Sequence, residues 1–166
     1  GKNGTTLASG GSDQTIKLWD IATEQCLIDL QGVSDWITHV NFHPNGTIIA
    51  SGTDDGIVKF WDLKTDRCIQ ILNEHTHSIG SLVFSPSGNK LATGSEDQRI
   101  KIWDFQTGNC LTTLSGHNDY VDRVDFVESE DRLVSGSKDG TVKVWDLASG
   151  NCLQTIQYSP YFRLKF

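Results

Sequence analysis

A repeat of 42 residues constrains the fold of this chain more than any other feature of its sequence. A Trp-Asp pair recurs four times at this spacing, and one further aspartate and one cysteine recur with it. Such a chain folds as similar units that stack, because one short unit cannot bury its own apolar surface. The repeated positions are Trp19, Trp61, Trp103 and Trp145; Asp13, Asp55, Asp97 and Asp139; and Cys26, Cys68, Cys110 and Cys152.

Within each repeat, the short-range period is that of a β-strand rather than that of a helix. The segment 57–61, Ile-Val-Lys-Phe-Trp, is a short run of β-branched and aromatic residues with one charged residue interposed. Asn-Gly and Asp-Gly pairs separate such segments and supply the positive φ that tight hairpin turns need. For the second repeat, these signals predict strands over about 36–42, 47–52, 57–63 and 68–72.

The composition narrows the possible partners. The chain has 166 residues and a formal net charge of −7, which disfavours non-specific binding to nucleic acid because that binding needs Lys and Arg at phosphates. No apolar run approaches the roughly 18 residues of a membrane span. We therefore expect a soluble chain with neither a nucleic-acid nor a membrane partner.

The cysteines indicate the compartment. One occurs in each repeat and no Cys-x-x-Cys is present, so we expect buried free thiols rather than disulfides or zinc ligands. Free thiols favour a reducing compartment, and we expect a cytoplasmic protein, with the nucleus not excluded. The histidine pairs do not suit a metal: His39 and His43 would lie about 13 Å apart on a strand. No metal and no cofactor are expected.

The Trp-Asp pairs, the aspartate six residues before each tryptophan, and Gly116-His117 upstream of the fourth pair together resemble the WD-repeat β-propeller family. The resemblance covers essentially the whole chain. It implies an all-β fold, a β-propeller of four-stranded antiparallel blades. We expect a single propeller segment over 1–166, with blade 1 formed by 1–31 and a closing strand at 162–166; the other blades are 32–73, 74–115 and 116–157.

The blade count leaves three arrangements open. The favoured one is a homodimer, in which two chains each supply half of an eight-bladed ring. The chain could instead be a piece of a longer propeller, or it could close alone with four blades. The last strand candidate comes two residues earlier than the repeat requires, so the closing loop differs from the others.

In the family resembled here, a His, a Ser or Thr, an Asp and a Trp form a hydrogen-bonded tetrad inside a blade. Val33 stands in the histidine position of the second blade, and the first blade has no visible histidine, so we expect these two blades to be less rigid. Carried over by position, the complete tetrads are His75, Thr93, Asp97 and Trp103 in the third blade, and His117, Ser135, Asp139 and Trp145 in the fourth.

Ser, His and Asp together also suggest a hydrolase triad. The constellation is repeated, which a catalytic site does not require, and no Gly-x-Ser-x-Gly elbow accompanies it. We therefore expect no catalytic residues and no enzymatic activity, including in the funnel of a propeller.

The resemblance also implies a partner-binding top face. Trp36 is the only tryptophan outside a Trp-Asp pair, and it begins a first strand. Aromatic anchors among acidic groups suit a partner segment with Lys or Arg. The alternative is that Trp36 and Tyr120 only cover the edge of the next blade. The candidate residues are Trp36, Thr38, Asp54, Glu96, Tyr120, Asp122, Lys138 and Phe162.

These expectations predict a non-enzymatic protein–protein interaction scaffold that binds a peptide or protein on the top face. The alternative is a structural or assembly segment of a larger multidomain protein, with no ligand of its own.

Overall fold

The computed structural model describes residues 4–127 and 130–158, and in these ranges every regular element is a β-strand. No helix among the described residues could span a membrane. The chain forms two compact units, one up to Ile79 and one from Gly80. All strand pairs are antiparallel, and strands that follow one another in the chain are neighbours in the sheets. The predicted all-β fold of four-stranded antiparallel sheets is confirmed for the second, third and fourth repeats.

The first unit holds two sheets. In the first sheet the structure describes three strands, and the predicted closing strand 162–166 lies outside the described residues. The number of blades in a closed ring and the homodimer therefore stay predictions. The strands are β1 (Thr6–Gly10), β2 (Ile16–Asp20) and β3 (Cys26–Leu30) in the first sheet, and β4 (Ile37–Phe42), β5 (Ile48–Thr53), β6 (Val58–Asp62) and β7 (Arg67–Leu72) in the second.

The second unit holds the third and fourth sheets, and the first strand of the third sheet begins at the boundary between the units. The strands are β8 (Ile79–Phe84), β9 (Lys90–Ser95), β10 (Arg99–Asp104) and β11 (Cys110–Ser115) in the third sheet, and β12 (Val121–Phe126), β13 (Arg132–Ser137), β14 (Thr141–Asp146) and β15 (Cys152–Gln157) in the fourth.

Within each unit the two sheets stack closely where a glycine permits it. A Cβ at Gly10 would lie 2.5 Å from Cγ2 of Ile37, and a Cβ at Gly94 would lie 2.8 Å from Cγ1 of Val121. Real Cβ contacts essentially never come under 3.0 Å, so these positions require glycine. The apolar core of each unit forms at this stacking surface.

The first unit buries Val33, Ile37 and Trp61 in one apolar cluster, and the second buries Val121, Leu133 and Trp145 in another. Each buried tryptophan removes about 200 Å² from water, which contributes on the order of 5 kcal/mol as an upper estimate. The stacked sheets therefore derive much of their stability from the tryptophans of the Trp-Asp pairs.

The four cysteines are free, but the prediction that they are buried is wrong: Cys110 is half-buried, and Cys26, Cys68 and Cys152 are exposed. Each stands at or near the start of the last strand of its sheet, next to a register shift of the pairing. The cysteines are at least partly exposed because they lie on the outermost strand of each sheet, and no further strand among the described residues covers that edge. Their thiols instead donate to a backbone carbonyl two residues on; in Cys26 the Sγ lies 3.3 Å from the oxygen of Ile28.

Candidate functional site

The fourth sheet contains a continuous polar network around His117. The His117 Nδ1 lies 2.8 Å from Oδ2 of Asp139, and its Nε2 lies 2.7 Å from Oγ of Ser135. The indole N–H of Trp145 donates to the same Ser135 Oγ over 2.8 Å. The structure thus brings together all four residues of the tetrad expected in this repeat.

Two further residues belong to this network, and the sequence reasoning missed both. Thr141 donates its hydroxyl to Oδ1 of Asp139 over 2.6 Å and lies 3.2 Å from Nδ1 of His117. The backbone N–H of Asn118 donates to the other carboxylate oxygen of Asp139 over 3.0 Å. The available signal was a threonine two residues after the aspartate, which only the first and fourth repeats have.

The network holds His117 and Asp139 in defined charge states. Burial lowers the pKa of His117, although the Asp139 carboxylate beside it opposes that shift, so the imidazole is neutral at pH 7. Burial alone would raise the pKa of Asp139, but hydrogen bonds from Thr141, Asn118 and His117 outweigh it and lower the pKa to about 2. The Asp139 carboxylate is therefore ionised, and both of its oxygens accept hydrogen bonds.

The same geometry bears on the triad interpretation. Ser135 has no exposed surface, and its Oγ already contacts both Trp145 and His117. A serine nucleophile must reach a substrate carbonyl, which this hydroxyl cannot do from inside the sheet. The arrangement serves to hold strands together.

In the third sheet, Trp103 donates its indole N–H to Oγ1 of Thr93 over 2.9 Å, and the Arg99 backbone N–H donates to Asp97 over 3.0 Å. His75 belongs to the first unit and these residues to the second. The tetrad expected around His75 therefore stays a prediction.

The second sheet has the same tryptophan contact without a histidine. Trp61 donates to Oγ of Ser51 over 3.0 Å, and Val33 is buried in the apolar cluster of this unit. The carboxylate of Asp55 instead accepts hydrogen bonds from the hydroxyls of Ser34 and Thr53. Local hydroxyls thus replace the imidazole as donors.

In the first sheet, Trp19 donates to Oγ of Ser9 over 2.9 Å. Asp13 accepts from the Thr15 hydroxyl over 2.9 Å and forms an ion pair with Lys17 at 3.7 Å. The hydrogen bond from Thr15 lowers the pKa of Asp13. Trp19 is only half-buried, in contrast to the tryptophans of the other Trp-Asp pairs.

Three of the expected partner-binding residues lie in the first unit. Trp36 is 57% exposed, and Asp54 beside it is exposed as well. The Asp54 backbone N–H donates to the carbonyl of Trp36 over 3.0 Å, which holds the two residues together. Thr38 is exposed, and its hydroxyl donates to the carbonyl of Gly52 over 3.1 Å.

The second unit holds four more. The Lys138 Nζ lies 4.7 Å from the centroid of the Tyr120 ring, and the Lys138 backbone N–H donates to the Tyr120 carbonyl over 2.9 Å. Asp122 is half-buried and Glu96 is exposed. Phe162 lies outside the described residues. The expected residues therefore form one group in each unit, and a single face across all of them stays a prediction.

Tyr120 and Trp36 occupy equivalent positions in their repeats but differ in how far a neighbouring strand covers the aromatic ring. A Cβ at Gly80, on the first strand of the third sheet, would lie 2.4 Å from the Tyr120 ring, so this ring packs directly on that strand. For Trp36 the equivalent strand would belong to the first sheet, in which the described residues form only β1 to β3. This difference explains why Trp36 is the more exposed ring.

No group of three or more His, Cys, Asp or Glu side chains within 4–127 and 130–158 is arranged to hold a metal ion. Two open clefts lie in the first unit. One of about 260 Å³ lies between Ala8–Gly10 and Ile37–Val40, and another of about 380 Å³ lies against Ser9, Asp13 and Thr15.

Repeated four-stranded antiparallel sheets, stacked through apolar faces and pinned internally by tryptophan–hydroxyl contacts, define a β-propeller protein. Residues 2–162 match the model of a β-propeller family described as Nucleolar protein 10-like, N-terminal domain. The chain therefore belongs to this family.

Family membership indicates a scaffold or protein-interaction role, since propeller domains of this kind are typically not catalytic. It also corrects one expectation: the cytoplasmic prediction is wrong, because the family is named for a nucleolar protein and points to the nucleolus or nucleus. The physical reason for the error is that free thiols indicate only a reducing compartment, and cytosol and nucleus share that property.

Proposed function

We propose that the chain is a non-enzymatic protein-interaction scaffold whose Trp36 region binds a lysine- or arginine-bearing segment of a nuclear or nucleolar partner. Membership of a β-propeller family named for a nucleolar protein supports the scaffold role. The burial of Ser135 within its network supports the absence of catalysis.

The observation that carries the binding proposal is the contact between Lys138 and Tyr120. These two residues stand two repeats after Asp54 and Trp36, and both pairs share the same backbone hydrogen bond. The fourth sheet thus shows where a cation rests on an aromatic ring at this position, 4.7 Å from its centroid.

In the second sheet an aspartate replaces the lysine. Among the described residues no cation lies over the Trp36 ring, and the exposed Asp54 is paired with Trp36 through its backbone N–H. A partner's Lys or Arg can therefore take the place that Lys138 takes on Tyr120, with the cation attracted by both ring and carboxylate. Tryptophan is the strongest of the aromatic side chains in such contacts.

An NMR titration tests this binding site. The probe is the capped peptide Gly-Ser-Lys-Ser-Gly, and the matched probe carries norleucine in place of lysine. We expect a saturable shift of the Trp36 Nε1–H resonance with the lysine peptide, and binding about threefold weaker with norleucine. Equal binding of the two peptides would show that no cation is recognised.

Asp54→Lys sharpens the test, because it recreates the arrangement of Lys138 and Tyr120 and should cover the Trp36 ring from within the chain. We expect this variant to lose peptide binding. Leu153→Ala is the control, since Leu153 is 53% exposed on β15 and lies in the other unit. The proposal fails if Trp36→Ala leaves peptide binding, followed through the backbone amide resonances, unchanged.

One finding favours a second candidate function, a structural or assembly segment of a larger protein. The matching family is described as an N-terminal domain. In this case Trp36 would contact another domain of the same polypeptide, and the lysine peptide would show no saturable binding.

A further inference from the structure

In the fourth sheet the chain itself supplies the cation that lies over an aromatic ring. The Lys138 Nζ is 4.7 Å from the centroid of the Tyr120 ring. Lys138 is exposed and Tyr120 is half-buried, so the contact lies at the surface of the sheet. A cation in such a position can be exchanged for another cation that approaches from outside.

Hydrogen bonds fix the backbone from which the Lys138 side chain extends. The N–H of Lys138 donates to the Tyr120 carbonyl over 2.9 Å. The carbonyl of Ser137, in the same peptide group, accepts from the Tyr158 hydroxyl over 2.8 Å. The Ser137 hydroxyl donates to the carbonyl of Asp119 over 3.0 Å. The lysine is therefore held beside the ring, and only its side chain has to become ordered for the contact to form.

The backbone around the ring is the same in the second sheet. The N–H of Tyr120 donates to the side chain of Asp119 over 2.7 Å. The N–H of Trp36 donates to the side chain of Asp35 over the same distance. The position of the lysine is taken by Asp54 in the second sheet. Two equivalent aromatic positions thus differ in whether the chain places a cation on the ring.

We propose that the Tyr120 position is a second binding site for a lysine- or arginine-bearing segment, and that Lys138 keeps this site closed by occupying it from within the chain. The class of ligand rests on the function proposed for the Trp36 region, whereas the closure by Lys138 does not. A partner's cation binds at Tyr120 only when it replaces the lysine. The chain then carries one open and one closed site of the same kind.

The exposure of the pair decides how firmly the site is closed. A cation–aromatic contact at an exposed position favours its closed form only about threefold to fivefold. The ring is then open in roughly a fifth of the molecules, and the apparent affinity for a competing cation is lower by the same factor. A partner with several further contacts can overcome this difference, and removal of the positive charge of Lys138 abolishes it.

Lys138→Gln tests the closure, because it removes the charge and keeps a polar side chain. The matched control is Lys143→Gln, which removes the same charge from the same sheet; the Lys143 Nζ donates to Oγ1 of Thr155 over 3.0 Å. The probes are the capped peptide Gly-Ser-Lys-Ser-Gly and its norleucine counterpart. The backbone amide and ring resonances of Tyr120 are followed by NMR.

We expect the lysine peptide to bind at Tyr120 about fivefold more tightly in Lys138→Gln than in the wild-type chain. In Lys143→Gln the affinity at Tyr120 should equal that of the wild-type chain. Lys138→Gln should bind the norleucine peptide about threefold more weakly than the lysine peptide. The proposal is overturned if Lys138→Gln does not strengthen binding at Tyr120, or if Lys143→Gln strengthens it as much.

Ring-current shifts measure the closure itself without any peptide. The Cε protons of Lys138 should resonate upfield in the wild-type chain, and Tyr120→Leu should return them to the position of an exposed lysine. Addition of the lysine peptide to the wild-type chain should move them in the same direction, because the peptide displaces the side chain. The absence of an upfield shift in the wild-type chain would overturn the closure.

The Trp36 Nε1–H resonance, followed in the same titrations, separates this inference from the proposed function. A shift at Trp36, together with tighter binding at Tyr120 in Lys138→Gln, supports both. A shift at Trp36 without a gain at Tyr120 overturns the second site and leaves the proposed function standing. Tighter binding at Tyr120 without any shift at Trp36 overturns the proposed function and supports the closed site.

Discussion

The second and fourth sheets solve the same structural problem with different side chains. Both attach their tryptophan to a serine, over 3.0 Å for Trp61 and 2.8 Å for Trp145. Where the fourth sheet has His117, the second has Val33, which is buried in an apolar cluster. The tryptophan–serine contact therefore does not require the histidine, and the histidine adds a separate polar network.

The difference between the two sheets shows what the polar network costs in desolvation and what its hydrogen bonds contribute. A buried imidazole must leave water, and His117 offsets this cost by contacting Ser135, Asp139 and Thr141. Val33 carries no such desolvation cost, because it buries only apolar surface. Replacing a satisfied polar network by well-packed apolar groups is often neutral, so the lower rigidity expected of the second sheet stays a prediction.

The largest expected effect comes from His117→Ala. It leaves a cavity and takes a partner from both Ser135 and Asp139 in a buried site, so we expect a loss of about 3 kcal/mol in the free energy of opening the fourth sheet. Amide hydrogen exchange of β13 and β14 measures this free energy, because it reports each sheet separately.

The matched control is Val33→Ala, followed in β5 and β6 of the second sheet. It removes about two methylene equivalents, and we expect a loss of about 1–2 kcal/mol. Equal losses in the two sheets would mean that the polar network adds nothing beyond packing.

A smaller effect is expected from pH. In the folded chain the pKa of His117 lies below its ordinary value of 6.5. As the pH falls, the unfolded chain therefore takes up a proton at this histidine before the folded chain does. The free energy of unfolding falls as the pH drops from 6.5 towards the folded pKa. Asp139 has a folded pKa of about 2 against an ordinary 3.8, so its contribution of about 2 kcal/mol is present above 3.8 and is lost as pH falls towards 2.

Unfolding in urea at a series of pH values measures both steps. His117→Val places the side chain of the second sheet into the fourth, and it should remove the step below pH 6.5. Persistence of that step in the variant would assign it to another group.

The smallest effect is expected from building the network into the second sheet. Val33→His alone loses apolar contacts and lacks the threonine, whereas Val33→His with Ile57→Thr recreates the side chains around His117. In a double-mutant cycle with the two single variants, we expect a favourable coupling of about 1 kcal/mol. A coupling near zero would show that the surrounding apolar cluster prevents the network from forming.

Much of the architecture could be predicted from residue spacing. The strands expected at about 36–42, 47–52, 57–63 and 68–72 are found at Ile37–Phe42, Ile48–Thr53, Val58–Asp62 and Arg67–Leu72. The prediction succeeds because strand patterns and turn residues determine local structure over a few positions, and each of these patterns recurs in several repeats. The exposure of the cysteines was missed, since it depends on which edge of a sheet is left uncovered.

The sequence by itself determined the all-β repeat and the antiparallel sheets, because these depend on local patterns and fixed spacings, and the family resemblance implied the tryptophan–hydroxyl contacts. The family resemblance already grouped His117, Ser135 and Asp139, whereas only the tertiary structure gave the geometry of their contacts and added Thr141 and Asn118 to them. The contacts of His117 with Ser135, Asp139 and Thr141 join residues 18 to 24 positions apart, and Lys138 rests on Tyr120 from another strand. Hydrogen bonds and cation–aromatic contacts act only over a few ångströms, so they exist only once the strands have brought these side chains together.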